Sequence, residues 1–145
     1  MTTRAARLAN ARLYLIVSAD EQHGVPLPAT RAALGSGAID IIQIRRRTPG
    51  ALDETLVREL QSLATAAGAL FIVNDDVALA ARIGADGAHV GHDDMPAAEA
   101  RAPLAPDQIL GLSTHDAAET EAAHALPVDY LGLGPCFGSR SKQLC

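Results

Sequence analysis

The stretch LFIVNDDVALAARIGADGAHVGHDD, from Leu70 to Asp94, decides the fold class of this chain. It opens with an apolar run typical of a buried strand, Leu70–Val73, and reaches a second short run at Ala88–Val90. Between the two runs lies a helical segment, Asp76–Ile83, followed by Gly84 as a helix-ending residue. A strand, a helix and a strand in this order predict one βαβ unit with parallel strands.

The same alternation continues on both sides of this unit. Alanine-rich segments with helical spacing separate four further apolar runs, which are Leu13–Val17, Ile39–Ile44, Ile109–Leu112 and Tyr130–Leu133. The six predicted strands begin about 18 to 31 residues apart, which leaves room for a helical crossover each time. Because the apolar runs are nearly continuous, we expect a parallel sheet that is covered on both faces.

Two more helices are well marked in the sequence. The segment Pro49–Gly68 places its leucines and Val57 on one face at helical spacing and ends in a glycine. In the segment Asp116–Leu126, Asp116 and Glu119 stand three residues apart, which is the spacing of a capping box. Both segments fit the crossovers of a parallel sheet.

A parallel βα series forms either a doubly wound open sheet or a (β/α)8 barrel. No G-x-G-x-x-G follows the first predicted strand, which removes the main argument for a dinucleotide-binding open sheet. Polar groups follow strand after strand, as on the active-site face of a barrel. We therefore predict an α/β fold of the (β/α)8 TIM-barrel family, one domain over residues 1–145, with about six of the eight βα units present.

Composition narrows the functional classes. The net charge is −5 at pH 7, so we expect no attraction to nucleic acid or to anionic membranes. No apolar run approaches the roughly 18 residues that span a bilayer. The two cysteines are too few for a disulfide framework, which favours a reducing compartment. We expect a cytoplasmic protein.

A basic cluster follows the second predicted strand. Gln43, Arg45 and Arg47 stand at i, i+2 and i+4, so they share one face if the strand continues through them. Two guanidinium groups on one face suit a phosphate or pyrophosphate, which they can bind bidentately. From the residues alone, a solvated basic loop is an equally open interpretation.

Acidic residues follow the third and fourth predicted strands. Asp75 stands at the end of a buried strand, where a carboxylate is costly unless it is paired or bound to a cation. Mg²⁺ usually takes one or two carboxylates together with phosphate oxygens and water. Asp75 and Asp94 would therefore form the protein's share of a Mg²⁺-pyrophosphate site. Asp76 is interpreted as a helix cap, and Asp93 as a solvated neighbour or a cap.

Three further groups are less specific when taken alone. His89 lies between apolar residues in a strand, which is typical of a core histidine. Ser113, at a strand end, fits a turn or cap hydroxyl as well as a ligand role. The loop from Gly132 to Lys142 offers backbone amides, hydroxyls and an ammonium group to an anion, and Cys136 within it is interpreted as a packing residue.

In order and separation, these motifs resemble the thiamine-phosphate synthase/TenI family. The segments that carry the resemblance are Gln43–Arg47, Val73–Asp75, Gly84–Asp94, Gly111–His115 and Asp129–Lys142. The likeness runs from about Leu13 to Lys142. Two departures are conservative in charge and hydroxyl content. Arg47 stands where the family has lysine, and serines stand where it has threonines, at Ser139 and Ser141.

The resemblance implies a transferase that joins hydroxymethylpyrimidine pyrophosphate to thiazole phosphate, giving thiamine phosphate and pyrophosphate. In the family, ionisation of the pyrimidine pyrophosphate precedes attack by the thiazole nitrogen, so the leaving pyrophosphate must be stabilised. By this resemblance Mg²⁺ is the cofactor and its ligands are Asp75 and Asp94. The catalytic groups on the pyrophosphate are Arg45, Arg47, Ser113 and Lys142. The other substrate-binding residues are Gln43 and His89 on the pyrimidine, Asn74 on the pyrophosphate, and Ser139 and Ser141 on the thiazole phosphate.

The length of the chain leads to further expectations. A (β/α)8 barrel needs at least about 200 residues, and this chain has 145. In the family, the seventh and eighth strands help to bind the thiazole phosphate, so we expect little or no synthase activity and self-association through open sheet edges. The alternatives are a TenI-like thiazole tautomerase and a non-catalytic remnant that binds phosphate or a protein partner.

Overall fold

A computed structural model describes residues 3–19, 24–47, 52–91 and 94–137 of the chain. The strands in these ranges are β1 Tyr14–Ala19, β2 Ile41–Arg46, β3 Leu70–Asn74, β4 Gly87–Val90, β5 Ile109–Thr114 and β6 Tyr130–Leu133. The helices are α1 Arg4–Asn10, α2 Leu27–Gly35, α3 Glu54–Ala66, α4 Val77–Ile83, α5 Ala97–Arg101 and α6 Ala117–Ala123. Among the described residues, no helix is both long and apolar enough to cross a bilayer.

The six strands form one parallel sheet in the order β1-β2-β3-β4-β5-β6. A doubly wound sheet would reverse its strand order at a switch point, whereas a barrel adds each strand beside the one before it. The sequential order, with a helix between each pair of strands, is that of a half-barrel. This confirms the predicted (β/α)8-type fold with six of its units.

Apolar side chains cover both faces of the sheet. On the outer face, Phe71 and Val73 of β3 pack with Val57 and Leu60 of α3, and all four side chains are fully buried. This helix is the amphipathic segment that the leucine spacing predicts, although it begins at Glu54, with Asp53 as its cap. Pro49, where the prediction began, lies outside the described residues.

On the inner face, a smaller apolar cluster occupies the end of the half-barrel where the strands begin. Its buried members are Ile41, Leu70, Ile72 and Ile109. Leu8 of α1 packs against this cluster. Arg4 of the same helix forms an ion pair with Asp86, at 2.8 Å between Nε and Oδ1. The helix therefore covers the amino ends of the strands, and the interior stays open at their carboxyl ends.

Three aspartates set the strand register at the amino ends. Asp40, Asp86 and Asp129 each directly precede an even-numbered strand. Each carboxylate accepts a hydrogen bond, at 2.7–2.9 Å, from the backbone N–H of a residue near the start of the preceding strand. The backbone carbonyl of that same residue accepts a hydrogen bond from the backbone N–H of the aspartate. The partners, in order, are Leu13, Phe71 and Leu110. These repeated pairs of bonds hold neighbouring strands in the register on which the site at the other end depends.

The helix ends follow the predicted signals in part. Asp76 caps α4 by accepting the N–H of Leu79 at 2.9 Å, and Gly84 ends that helix in the left-handed conformation. Asp116 caps α6 as predicted by accepting the N–H of Glu119 at 2.8 Å. That helix ends at Ala123, three residues before the predicted limit at Leu126.

Candidate active site at the carboxyl ends of the strands

A cavity of about 590 Å³ opens at the carboxyl ends of the strands. It is lined by seven of the residues that the sequence nominates, which are Gln43, Arg45, Asn74, Asp75, His89, Asp94 and Ser113. They come from the ends of β2, β3, β4 and β5 and the loops that follow them. The sequential order of the strands is what brings these separate motifs to one mouth.

Not every nominated residue is part of this lining. Strand β2 ends at Arg46, and Arg47 beyond it is exposed and does not line the cavity. The expected alignment of three side chains on one face therefore extends over Gln43 and Arg45 only. Three nominated residues lie outside the described ranges, namely Ser139, Ser141 and Lys142. His92 and Asp93 also lie outside them.

The floor of the cavity is a hydrogen-bonded chain of polar side chains. The Gln43 amide nitrogen donates to the Tyr14 hydroxyl at 2.9 Å, and the hydroxyls of Tyr14 and Tyr130 lie 2.8 Å apart. The Tyr130 hydroxyl is 2.9 Å from Nδ1 of His89, and Nε2 of the same ring is 2.9 Å from Oγ of Ser113. Four strands and the start of β1 are thus linked through side chains on the inner face.

Burial shifts the pKa of both phenol groups in this floor. It raises the pKa of Tyr14 to about 12 and raises the pKa of Tyr130 further above its ordinary value. Desolvation disfavours the phenolate form, so both rings keep their protons at neutral pH. The sequence pattern did not identify the two tyrosines as site residues. Each begins a strand, and an aromatic residue in that position is typical of the buried core.

Gly111 makes the contact between Tyr130 and His89 possible. In the sheet register, Gly111 of β5 lies between His89 of β4 and Tyr130 of β6. A Cβ atom at this glycine would stand 2.1 Å from Cζ of Tyr130, which is a severe overlap. Since the glycine has no side chain, the tyrosine ring crosses β5 and comes within 5.4 Å of the histidine ring, measured between centroids.

His89 combines the two interpretations that the sequence left open. Its side chain is buried, with both ring nitrogens hydrogen-bonded, as in a core histidine. It also lines the cavity. The same position can therefore serve as a structural group and as part of a binding surface.

The two nominated carboxylates lie at the rim. Asp75 follows β3 with φ at 63°, and its N–H donates to the carbonyl of His89 at 2.8 Å. Aspartate tolerates this left-handed conformation better than most residues with a side chain. Asp94 accepts the N–H of Gly91 through Oδ2 at 3.1 Å, and a Cβ atom on that glycine would approach the same oxygen to 2.2 Å. Both aspartates are exposed and line the same cavity.

This donor set fits Mg²⁺ better than a metal held by protein ligands alone. In the described ranges, no three or more His, Cys, Asp and Glu side chains group together so that they could hold a metal ion. Mg²⁺ does not require such a group, because it keeps several waters and commonly shares one or two carboxylates with substrate phosphates. Asp75 and Asp94 match that requirement in chemistry and in exposure.

His115 is a further lining residue to which the sequence motif assigned no role. Oε2 of Glu119 accepts its backbone N–H at 2.7 Å and lies 3.1 Å from its Nδ1. The carboxylate therefore fixes the orientation of the imidazole at the cavity wall. The available sequence signal was the four-residue spacing of His115 and Glu119, but Glu119 was interpreted as the capping-box partner of Asp116.

A sequentially ordered parallel half-barrel, with cationic, acidic and amide groups gathered where its strands end, defines a (β/α)8-type protein with its candidate active site at the usual face. The family model described as thiamine monophosphate synthase matches residues 13–144. The chain belongs to this family.

Individual relatives support the same assignment. The chain is 41% identical over 138 residues to the thiamine-phosphate synthase of Gloeobacter violaceus, covering 94% of this chain and 39% of that protein. It is 42% identical over 135 residues to the one of Geobacillus kaustophilus, covering 90% and 60%. For the one of Mycolicibacterium paratuberculosis, the identity is 43% over 154 residues, covering 98% and 68%.

A solved structure agrees with these sequences. The chain superposes on thiamine phosphate pyrophosphorylase from Pyrococcus furiosus with a TM-score of 0.71 and 32% identity, covering 88% of this chain and 61% of that one. The chain thus spans between 39% and 68% of the length of the three relatives above and 61% of this structure.

Proposed function

We propose that this chain carries the pyrimidine pyrophosphate site of a thiamine-phosphate synthase. The reaction joins hydroxymethylpyrimidine pyrophosphate to thiazole phosphate and releases pyrophosphate. The observation that carries the proposal is the convergence of the cationic Arg45, the two carboxylates and the polar floor on one cavity. The relatives named thiamine-phosphate synthase support it, since the match covers nearly the whole chain.

The rim would hold the pyrophosphate. Arg45, Asn74 and Ser113 all line the cavity and offer a guanidinium, an amide and a hydroxyl to phosphate oxygens. When the bond between the pyrimidine methylene carbon and oxygen breaks, its electron pair leaves with the pyrophosphate. Donors already in position stabilise that developing charge without reorganising at the moment of reaction.

The two carboxylates would hold Mg²⁺ against the same pyrophosphate oxygens. The bound ion would neutralise part of the charge that the leaving group gains. Asp75 and Asp94 belong to different loops, so their shared ion would also tie the end of β3 to the loop after β4.

The floor would receive the pyrimidine. Gln43 and His89 are buried and line the cavity, so the amide of Gln43 can offer a polar contact and the ring of His89 a contact surface in a place from which a bound ring excludes water. The thiazole nitrogen would then attack the methylene carbon in a dry environment. Contacts to the thiazole phosphate are proposed for Ser139 and Ser141, and a pyrophosphate contact for Lys142, by family resemblance alone.

The carboxylate pair favours a synthase over the alternatives. A thiazole tautomerase has no pyrophosphate to neutralise, and a phosphate-binding remnant has no need of a divalent ion. Arg47 stays a proposed contributor by resemblance, with weaker support than Arg45 because it lies outside the cavity lining.

Calorimetric titration tests the proposal. We expect the protein to bind inorganic pyrophosphate only when Mg²⁺ is present, and to bind the pyrimidine pyrophosphate more tightly than pyrophosphate alone. Asp94→Asn should strongly weaken the Mg²⁺-supported binding, while Glu121→Gln, a substitution at an exposed acidic position on α6, should retain it. Binding that is indifferent to Mg²⁺ in the unaltered protein would refute the proposal.

Two further properties belong to the same proposal. We propose a cytoplasmic location, which rests on the low cysteine content. We also propose that copies of the chain self-associate through β1 and β6, the two ends of the sheet. The support is the exposure of apolar side chains on these two strands, 52% for Ile16 and 54% for Leu133, both of which also line the open cavity.

Sedimentation over a range of concentrations tests the self-association. We expect Leu133→Lys to shift the protein toward monomer. Leu126→Lys should not, because Leu126 is also exposed but lies in the loop between α6 and β6 and belongs to neither edge strand. A monomer at all concentrations in the unaltered protein would contradict this part of the proposal.

A further inference from the structure

The side chains on the cavity floor form one continuous series of hydrogen bonds. It runs from the amide nitrogen of Gln43 to Tyr14, Tyr130, His89 and Ser113, with every donor–acceptor distance at 2.8 or 2.9 Å. Hydroxyl and imidazole groups both donate and accept, so the protons in such a series can all point toward Ser113 or all point toward Tyr14. The direction decides which nitrogen of the histidine carries its proton.

The Gln43 end determines the direction. An amide nitrogen only donates, so the Tyr14 oxygen accepts there and has one proton of its own to give. Its other hydrogen-bond partner within the described part of the chain is the oxygen of Tyr130. If Tyr14 donates to that oxygen, the proton of Tyr130 is directed to Nδ1 of His89. Nε2 then carries the ring proton and donates it to Ser113.

The opposite direction gives the Tyr14 oxygen two bonds to accept and leaves the spare proton of the series on Tyr14 instead of Ser113. The oxygen of Tyr14 would then accept from both Gln43 and Tyr130, and no further acceptor for its proton stands among the described residues. Because burial raises the pKa of both phenols, neither can shed its proton at neutral pH to relieve the mismatch. The first direction instead gives the Tyr14 oxygen one bond to accept and one to donate, and leaves the spare proton on Ser113, whose oxygen has a single partner among the described residues.

We infer that Tyr14 and Tyr130 are positioning residues that hold His89 as the Nε2–H tautomer and so leave the hydroxyl proton of Ser113 to be donated into the cavity. The Ser113 oxygen accepts from the histidine, so its own proton has no role within the series. A pyrophosphate oxygen is an acceptor only, which makes it the matching ligand. That last step rests on the proposed function, whereas the tautomer of the histidine does not.

The tautomer is tested by the ¹⁵N chemical shifts of the imidazole rings. The chain has five histidines, and His89→Asn identifies the signals of interest. We expect Nε2 protonated and Nδ1 unprotonated in the unaltered protein. Tyr130→Phe should remove this preference, and Tyr14→Phe should reduce it, because without the Tyr14 hydroxyl nothing in the series fixes the direction in which Tyr130 donates. Ser62→Ala removes a hydroxyl bonded to a carbonyl on the remote α3 and serves as the control.

Two results would overturn the inference about the histidine. One is protonation at Nδ1 in the unaltered protein, which requires the opposite direction. The other is a Tyr130→Phe variant that folds and leaves the two nitrogen shifts unchanged. If that variant does not fold, the spectrum of the unaltered protein still decides the direction.

The link to Ser113 is tested by a double-mutant cycle on the binding of pyrophosphate with Mg²⁺. Tyr130→Phe should weaken binding about fivefold, the value of one ordinary hydrogen bond. In a Ser113→Ala background the same substitution should have almost no effect, because the tyrosine acts through the serine. A full effect in that background would refute the positioning role. Failure of the unaltered protein to bind would refute the proposed function and leave the tautomer standing.

Discussion

The phenol oxygens of Tyr14 and Tyr130 lie 2.8 Å apart, although the two residues belong to the first and the last strand of a six-stranded sheet. Such a contact requires a strongly curved sheet, because neighbouring strands are about 4.8 Å apart and a flat sheet would separate its edges widely. The side chains meet over Gly111, where the missing Cβ leaves room for the ring of Tyr130. Curvature and one glycine thus create the polar floor of the cavity.

Alkaline titration should show that both phenols ionise only above the ordinary pKa of tyrosine. Their folded pKa values are raised above the ordinary 10.0, to about 12 for Tyr14. The stability that depends on them is fully present below pH 10 and is lost as the pH rises from 10 toward 12 and above, since the unfolded chain ionises first. Ultraviolet absorbance of phenolate measures this directly, because the chain has two tyrosines and no tryptophan. Ionisation near pH 10 in protein that is still folded would contradict the buried floor.

Gly111→Ala should displace Tyr130. The new Cβ would stand 2.1 Å from Cζ of the ring, so the ring or the strand must move. Overpacking of this kind costs roughly 1–3 kcal/mol of folding free energy. Urea unfolding measures the loss. The control is Gly35→Ala at the end of α2, where nothing lies within 4 Å of the added atom. Equal stability of the two variants would contradict the packing.

Asp40 should contribute to stability in a pH-dependent way. The backbone N–H groups of Arg12 and Leu13 hold the pKa of its carboxyl below the ordinary 3.8. A lowered folded pKa contributes stability that is present above the unfolded value and lost as the pH falls through the folded one. Asp40→Asn should therefore lower the urea midpoint at neutral pH, and the difference should shrink below pH 3.8. A difference that stays constant with pH would exclude the carboxylate as its source.

Arg45→Gln should weaken pyrophosphate binding without unfolding the protein. Arg45 is half-buried and lines the cavity. A hydrogen bond to a charged group contributes about 2 kcal/mol, so affinity should fall roughly 30-fold. Arg31→Gln is the matched control, since Arg31 is exposed on α2 and pairs with Glu59 at 3.5 Å. Calorimetry in the presence of Mg²⁺ should separate the two variants clearly. If both bind alike, Arg45 is not a ligand.

The strands and the outer core were predictable from local pattern. Leu70–Val73 is a continuous apolar run, and the spacing of Val57 and Leu60 marks the buried face of α3. Helix α1 was not predicted, because it buries none of its residues fully and is tied to the sheet by the long-range pair of Arg4 and Asp86. A contact between residues 82 positions apart leaves no local trace in the sequence.

The site was predictable as a set of residue types at strand ends, but not as a connected network. Arg45 and Arg47 look equivalent in sequence, and only the end of β2 at Arg46 separates them. The roles of Tyr14 and Gly111 depend on curvature and register, which the local pattern does not contain. The left-handed φ of Asp75 is equally invisible there, because aspartate occurs far more often in ordinary turns and caps.

A crystal structure of the protein with Mg²⁺ and pyrophosphate tests the central claim most directly. We predict one ion bound by the carboxylates of both Asp75 and Asp94, at about 2.1 Å from their oxygens. The same pyrophosphate should accept hydrogen bonds from Arg45 and Ser113. An ion that contacts only one of the two aspartates, or a pyrophosphate bound outside this cavity, would contradict the account.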